Sequence, residues 1–340
     1  MGRILSDVIC MEREYSMSQL IETRNLKKYF KTRAGLLHAV DDVSIGIEKG
    51  KTLGIVGESG CGKSTLGRTI LGLNKATSGE VLLEGNNTLK FSSKELKKTR
   101  ADMQMIFQDP FMSLDPRMII FDLLAEPLKE IGKIKNRKTL ENKVFQLMET
   151  VGLSERYVNS YPHELDGGRR QRIGVARALS INPKFIVCDE PVSALDVSIQ
   201  SQILNLLMDL QRDRGLAFMF ITHDLSVAKH ISDRIAVMYL GQVIESAKSD
   251  DLFKNPMHPY TQALLKAIPK PKYYEQKVKR DILSGEVSSP INPKPGCRFA
   301  PRCKYAFKEC IEGPIQLSER ATDHYVACRI YDKVEFKTVL

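Results

Sequence analysis

The stretch Gly57-Glu58-Ser59-Gly60-Cys61-Gly62-Lys63-Ser64-Thr65 fits G-x-x-x-x-G-K-[ST], the spacing of a loop that cradles phosphate. Its glycines let successive backbone N–H groups turn toward phosphate oxygens at the positive end of a following helix. Lys63 is placed to reach the β- and γ-phosphates, and the Ser64 hydroxyl to ligate Mg²⁺. Two acids, Asp189 and Glu190, follow the apolar run Phe185-Ile186-Val187-Cys188. Acids at the carboxyl end of a buried strand sit where ligands collect in a doubly wound sheet. Asp189 suits a water-mediated hold on Mg²⁺, and Glu190 the polarisation of an attacking water. His223 follows a third apolar run ending in Ile221-Thr222, where an imidazole can sense a terminal phosphate. Each feature alone has a plain reading: a Gly-rich turn, two solvated acids, a structural histidine. Together, at three strand ends, they point to phosphate-bond hydrolysis.

The elements that must position these residues are legible in the hydrophobic pattern. Apolar alternation from Leu20 to about Gly50 predicts antiparallel strands with turns. Leu53 to Val56 predicts a short buried strand feeding the phosphate loop, and Ser64 to Leu73 a helix. Helical patterns run from Ile119 to Leu179, punctuated at Gly132, Gly152 and Pro162. Phe185 to Cys188 and Leu216 to Thr222 predict core strands, and Val197 to Arg212 and Leu225 to Ile231 helices. Ile235 to Leu240 and Gln242 to Glu245 predict a hairpin around Gly241. Strands alternating with helices predict an α/β sheet with an antiparallel patch at its N-terminal side. No internal repeat is present.

Near Asn255 the texture changes. Pro256, Pro259, Pro269, Pro271, Pro290, Pro293, Pro295 and Pro301 gather more than half of the 15 prolines into one stretch. With Lys270, Lys272, Lys277, Lys279 and Arg280 this reads as a linker to a small Cys-bearing appendage.

The chain has 340 residues, 42% of them hydrophobic and 27% charged, which excludes wholesale disorder. Its apolar windows are far shorter than the ~20 residues of a membrane-spanning helix. A net charge of +10 suits nucleic acid, anionic lipid or nucleotide phosphates, or solubility alone. With no Trp, an aromatic platform for single-stranded nucleic acid is not expected. Residues 1–19 read as an N-terminal extension without an export signal, since Asp7, Glu12, Arg13 and Glu14 interrupt any apolar run. Gly2 and Ser6 formally fit a myristoylation pattern, and Met17 is an alternative start. The expected location is cytosolic, and 7 cysteines, an odd count, argue against a disulfide framework.

The set Gly57 to Thr65, Gln108, Leu165-Asp166-Gly167-Gly168-Arg169, Asp189-Glu190, Ser193-Ala194-Leu195-Asp196 and His223 resembles the nucleotide-binding subunit of an ABC transporter over roughly residues 20–255. Phe107-Gln108-Asp109-Pro110, Ser113-Leu114-Asp115-Pro116-Arg117 and Asn255-Pro256-Met257-His258-Pro259-Tyr260-Thr261 are similar to its dipeptide/oligopeptide importer branch. So are Gly296-Cys297-Arg298-Phe299-Ala300-Pro301-Arg302-Cys303 and His324-Tyr325-Val326-Ala327-Cys328. The resemblance implies an ABC-type P-loop NTPase core of α/β class at 20–255. This core has an antiparallel β subdomain and a helical subdomain at about 110–178. A Cys-containing extension at 256–340 completes the chain. It implies ATP and Mg²⁺ as ligands, with Phe30 stacked on adenine and Tyr29 as the fallback. Gln108 would touch Mg²⁺ and the attacking water, its loop meeting a membrane subunit, and Asp196 would lie at a dimer seam. The implied partners are transmembrane permeases, a second ABC ATPase subunit, identical or different, and indirectly a solute-binding protein, with the chain peripheral on the cytoplasmic face of the plasma membrane. Nucleic acid is not among them.

One motif departs from the family. Leu-Ser-Gly-Gly-Gln is expected, and Leu165-Asp166-Gly167-Gly168-Arg169 stands instead. An ionised Asp166 accepts hydrogen bonds only and repels a triphosphate, unless Arg169 reaches the phosphates or pairs with it. Because the resemblance implies that the signature serves the opposite subunit's ATP, the expectation is an asymmetric pair with the partner's pocket weakened, the alternative being that Asp166 and Arg169 are tolerated without asymmetry. Cys297, Cys303, Cys310 and Cys328 lack the C-x₂₋₄-C knuckle usual for zinc. They suit a [4Fe–4S] cluster, which the resemblance also implies, with zinc or free structural thiols as alternatives. Rival functions are a soluble ABC ATPase acting on nucleic acid or ribosomes and a weakened regulatory nucleotide binder. The single phosphate loop, the compact span of about a hundred residues from Ser64 to Leu165, and an intact Glu190 and His223 oppose them.

Overall fold

A computed structural model describes residues 19–268 and 288–332. The N-terminal extension before Gln19 and the Pro/Lys-rich stretch 269–287 lie outside the described residues. Two compact units emerge: the first takes in residues up to Glu22, Gly46–Thr52 and Leu82–Ile221, the second Thr23–Ile45, Leu53–Val81 and Thr222 onward.

In the first unit β6 (Met103–Ile106), β7 (Phe185–Asp189) and β8 (Ala217–Thr222) run parallel in the order β8-β7-β6. β7 and β8 are buried along their whole length, as expected of parallel strands covered on both faces. β5 (Asn86–Asn87) pairs with Leu83 and Leu82 and is followed by helices α2 (Ser93–Asp102) and α3 (Pro110–Ser113). Helices α4 (Ile120–Glu130), α5 (Arg137–Thr150) and α6 (Gly167–Leu179) pack pairwise, and α6 also packs on α7 (Val197–Arg214). Their starts are chemically marked. Asn136, Asp166 and Asp196 cap α5, α6 and α7 by accepting backbone N–H groups that would otherwise lack partners.

The second unit holds most of β1 (Gln19–Thr32), β2 (Gly35–Glu48) and β4 (Ser78–Leu83), in the order β2-β1-β4. Its other sheet runs β11 (Ser318–Ala321), β12 (His324–Val326), β10 (Gln242–Lys248), β9 (Arg234–Tyr239), β3 (Thr52–Val56). β3 pairs with β9 in parallel, and β9-β10 is the expected antiparallel hairpin. The C-terminal segment adds strands to this sheet: Glu245 pairs with Val326 and Ser246 with Tyr325. It also shares a core, since Phe299 is buried with Val56, Val237, Tyr239, Ile244 and Tyr260, and Cys297 and Cys303 pack against that cluster. Helix α1 (Lys63–Ile70) follows β3; it stops short of the expected Leu73 because Gly72 takes a left-handed φ of 68°. Helix α8 (Leu225–Ile231) follows β8, with α9 (Ser249–Lys254) and α10 (Pro259–Ala267) beyond β10. Among the described residues no helix is long and apolar enough to cross a membrane.

Candidate functional site

In the second unit the buried strand β3 delivers the chain into the glycine-rich loop. Gly57, Gly60 and Gly62 have φ of 156°, 76° and 104°, values that L side chains adopt at a cost. Space forbids side chains as well: a Cβ at Gly57 would lie 2.3 Å from the Met238 carbonyl oxygen, and one at Gly62 2.0 Å from that of Ala39. Gly62 is the N-cap of α1, with no side chain capping it and no acid in the first turn. A helix start with no acidic residue of its own in the first turn favours an anion there. Lys63 is buried, its Nζ donating to the carbonyls of Gly57 at 2.9 Å and Glu58 at 3.0 Å. Ser59 and Gly60 are exposed, Ser64 and Thr65 half-buried. Cys61 is buried, and burial raises its thiol pKa, so it fills space and stays protonated.

The aromatic candidates lie on β1 of the same unit. The Tyr29 ring stacks on His38 at 3.9 Å between centroids, and its hydroxyl donates to Asp41. Burial and the Asp41 carboxylate raise the phenol's pKa, keeping it a donor. With Tyr29 engaged in this way, Phe30, half-buried with Lys28 Nζ 4.5 Å from its ring centre, is the adenine candidate. His223 is exposed in the turn between β8 and α8. Asp224 beside it donates its N–H to Thr222 Oγ1 at 3.0 Å and caps α8.

The acids and the glutamine lie in the first unit. Asp189 ends β7 and is 1% exposed. Glu190 has φ 46° and donates its N–H to Ile221 at 3.0 Å, so a bend at the strand end turns its side chain away from the core. Gln108 Nε2 donates to the Glu190 carboxylate at 3.2 Å. The structure thus brings together the residue expected to polarise water and the one expected to position it.

The signature departs from the family without loss of local structure. Asp166 caps α6, accepting from Arg169 N–H at 2.8 Å, and the Arg169 guanidinium pairs with the same carboxylate. Of the two expected ways to offset Asp166, the structure shows pairing within the chain. Gly168 is buried, and a Cβ there would meet Ile199 at 2.6 Å. Asp196 caps α7 through Ile199 N–H at 3.0 Å, beside a Val197 that is 78% exposed.

Cys297, Cys303, Cys310 and Cys328 line one cavity of about 10 Å³ with His258 and Phe299. Burial lifts Cys297 to about 11 and Cys328 to about 12, and neighbouring thiols add to the shift. The donor chemistry fits a thiolate-bound metal; the spacing does not. Among the described residues no group of three or more His, Cys, Asp or Glu side chains is arranged to hold a metal ion. A cavity of this size holds about one water. The expected [4Fe–4S] or zinc occupant therefore has no support in the geometry.

The family described as ABC transporter matches residues 40–193. The one described as oligopeptide/dipeptide transporter, C-terminal region, matches 244–310. The oligopeptide transport ATP-binding protein AppF of Bacillus subtilis is 48% identical over 321 residues, covering 92% of this chain and 97% of the relative. OppF of Escherichia coli is 49% identical over 319 residues, covering 91% and 95%. The chain belongs to the oligopeptide transport ATP-binding family of ABC transporters. Solved structures agree on the fold. The cassette MJ0796, in a dimeric post-hydrolysis state bound to ADP and Pi, matches with a TM-score of 0.62 at 31% identity, covering 67% of this chain and 98% of that one. CbiO1 from Clostridium perfringens, part of the cbiONQ complex, matches with a TM-score of 0.63 at 25% identity, covering 70% and 92%.

Some residues of the family's C-terminal region have contacts that sequence reasoning assigned to none of them. Glu245 is fully buried and accepts from Met257 N–H at 2.7 Å and His258 N–H at 2.9 Å, with His324 Nε2 2.8 Å away. Arg302 pairs with Glu58 of the phosphate loop. A basic residue next to a cysteine is too common a pattern to have singled Arg302 out.

Proposed function

We propose that this chain is the ATP-hydrolysing subunit of an importer for dipeptides, oligopeptides or a related solute, working on the cytoplasmic face of the plasma membrane with permeases and a second cassette. The observation that carries this reading is near-half identity to oligopeptide transport ATP-binding proteins across almost the full chain, with the phosphate loop and Glu190 intact. In this reading the α1 N-terminus and Lys63 hold the ATP phosphates, and Ser64, Gln108 and Asp189 hold Mg²⁺. Phe30 stacks on adenine, and Asp196 sits at the seam of the paired cassettes. Glu190 accepts a proton from the attacking water while Gln108, its hydrogen-bonded neighbour, orients that water. His223 senses the γ-phosphate. Release of phosphate reopens the pair, and the Gln108 loop conveys the motion to a permease. Reconstitution with the permeases and partner cassette tests this: peptide-stimulated ATP turnover is expected, and turnover indifferent to the permeases overturns it.

The same reading assigns Cys297, Cys303, Cys310 and Cys328 to a [4Fe–4S] cluster, with zinc as the alternative, clamping a segment too small for a core of its own. The four cysteines supply thiolate donors of the right type and line one cavity, and that cavity must widen and rearrange to admit a cubane. Brown protein absorbing near ~400 nm after anaerobic purification is expected; colourless protein with stoichiometric zinc selects the alternative, and metal-free protein rejects both.

A further inference from the structure

Within the second unit the segment 297–303 holds the phosphate loop directly at one point and reaches it through Leu240-Gly241 at another. At the front, Arg302 Nη1 and Nη2 donate to the two Glu58 carboxylate oxygens at 3.0 and 3.2 Å. The Glu58 N–H is taken by the hydroxyl of the fully buried Tyr260, at 3.0 Å. At the rear, Arg298 donates to the Leu240 carbonyl and pairs with Asp41. The neighbouring Gly241 N–H donates to the Cys61 carbonyl at 2.8 Å. Both guanidinium groups are largely withdrawn from water, each side chain being 7% exposed. Arg302 also lies 5.9 Å from the Tyr239 ring centre and 6.0 Å from that of Phe299, within reach of cation–π attraction.

Glu58 poses an electrostatic problem. A carboxylate inside a phosphate-binding loop repels the anion the loop exists to hold. A forked, buried arginine cancels that charge and directs the carboxylate away from the phosphates. We propose that Arg302 is a positioning residue for ATP binding, neutralising and orienting Glu58 so that the cysteine-bearing segment sets the shape and charge of the phosphate loop. Arg302 flanks Cys303 and Arg298 flanks Cys297, so whatever seats those cysteines also seats both clamps. The proposal rests on the reading of Gly57 to Thr65 as the ATP site.

The test uses the full chain, with MgATP binding measured by titration and kinetics in the assembled transporter. Arg302→Gln weakens binding about tenfold, raising KM while kcat stays within about twofold, because Arg302 touches no reacting atom. Arg302→Lys, which keeps the charge without the fork, falls between. The double variant Arg302→Gln/Glu58→Gln regains most of the loss, since the repelling carboxylate is gone; general damage to the fold would not be repaired this way. Should Arg302→Gln fail to fold, the double variant decides: binding within about threefold of the parent supports the proposal, and binding more than about tenfold weaker overturns it. A folded Arg302→Gln that binds MgATP like the parent overturns it too, as does a double variant weaker than the single. If the parent does not bind MgATP, or Lys63→Ala binds as well as the parent, the ATP-site reading fails instead.

Discussion

Two helix starts, α1 after the phosphate loop and α6 after the signature, use one physical device in opposite ways. Both place glycine where a backbone must come close to something else. At α1 the N-cap is Gly62, which has no capping side chain, the first turn carries no acidic residue, and Lys63 is buried there. At α6 the N-cap is Asp166, which takes the Arg169 N–H and is paired with the Arg169 guanidinium. The first end is left for an anion from outside; the second carries its own anion and its own counter-charge. A serine signature would cap α6 equally well and still offer a hydroxyl to phosphate. Aspartate therefore keeps the helix start and, under the proposed pairing of cassettes, would alter the chemistry that a partner's nucleotide meets.

The sharpest way to break this contrast is Gly62→Ala. A Cβ 2.0 Å from the Ala39 carbonyl oxygen, at a φ of 104°, displaces the loop, and strain of roughly 1–3 kcal/mol corresponds to about 5- to 150-fold weaker MgATP binding. Titration of the folded variant checks it. Next is Asp166→Ser, which removes the anion and keeps the cap. ATP turnover of the assembled pair should rise several-fold as the partner's pocket gains a donor, and unchanged turnover would sink the asymmetric pair. Smallest is Asp166→Ala, which strips the cap and leaves Arg169 unpaired. Thermal unfolding should show a loss of about 1 kcal/mol, against a few tenths or less for the serine variant.

What was legible in the sequence follows from how local its cause is. The phosphate loop, the acids ending β7 and the helix Leu225–Ile231 rest on residues adjacent in the chain, and the structure has β7 and α8 at the expected places. Gln108 was expected near the water-activating site, and its bond to Glu190 is present. Pairings between distant residues left no such trace. β12 joins β10 through Glu245 and Val326, so the tail that reads as an appendage extends a sheet. The short, charged Ser318–Ala321 and His324–Val326 have too little apolar alternation to announce strands. Arg302 and Glu58 are 244 positions apart, and no spacing rule links them. The cysteine tail shows the limit from the other side: its residue types suggested a metal, and no metal-holding group is arranged among the described residues.

The most direct test of ATP hydrolysis at this site is phosphate release by Glu190→Gln in the assembled transporter, measured alongside MgATP binding. Replacing the carboxylate by an amide of the same shape should leave binding intact and lower turnover by about 10²-fold or more. Turnover equal to that of the parent protein would contradict it.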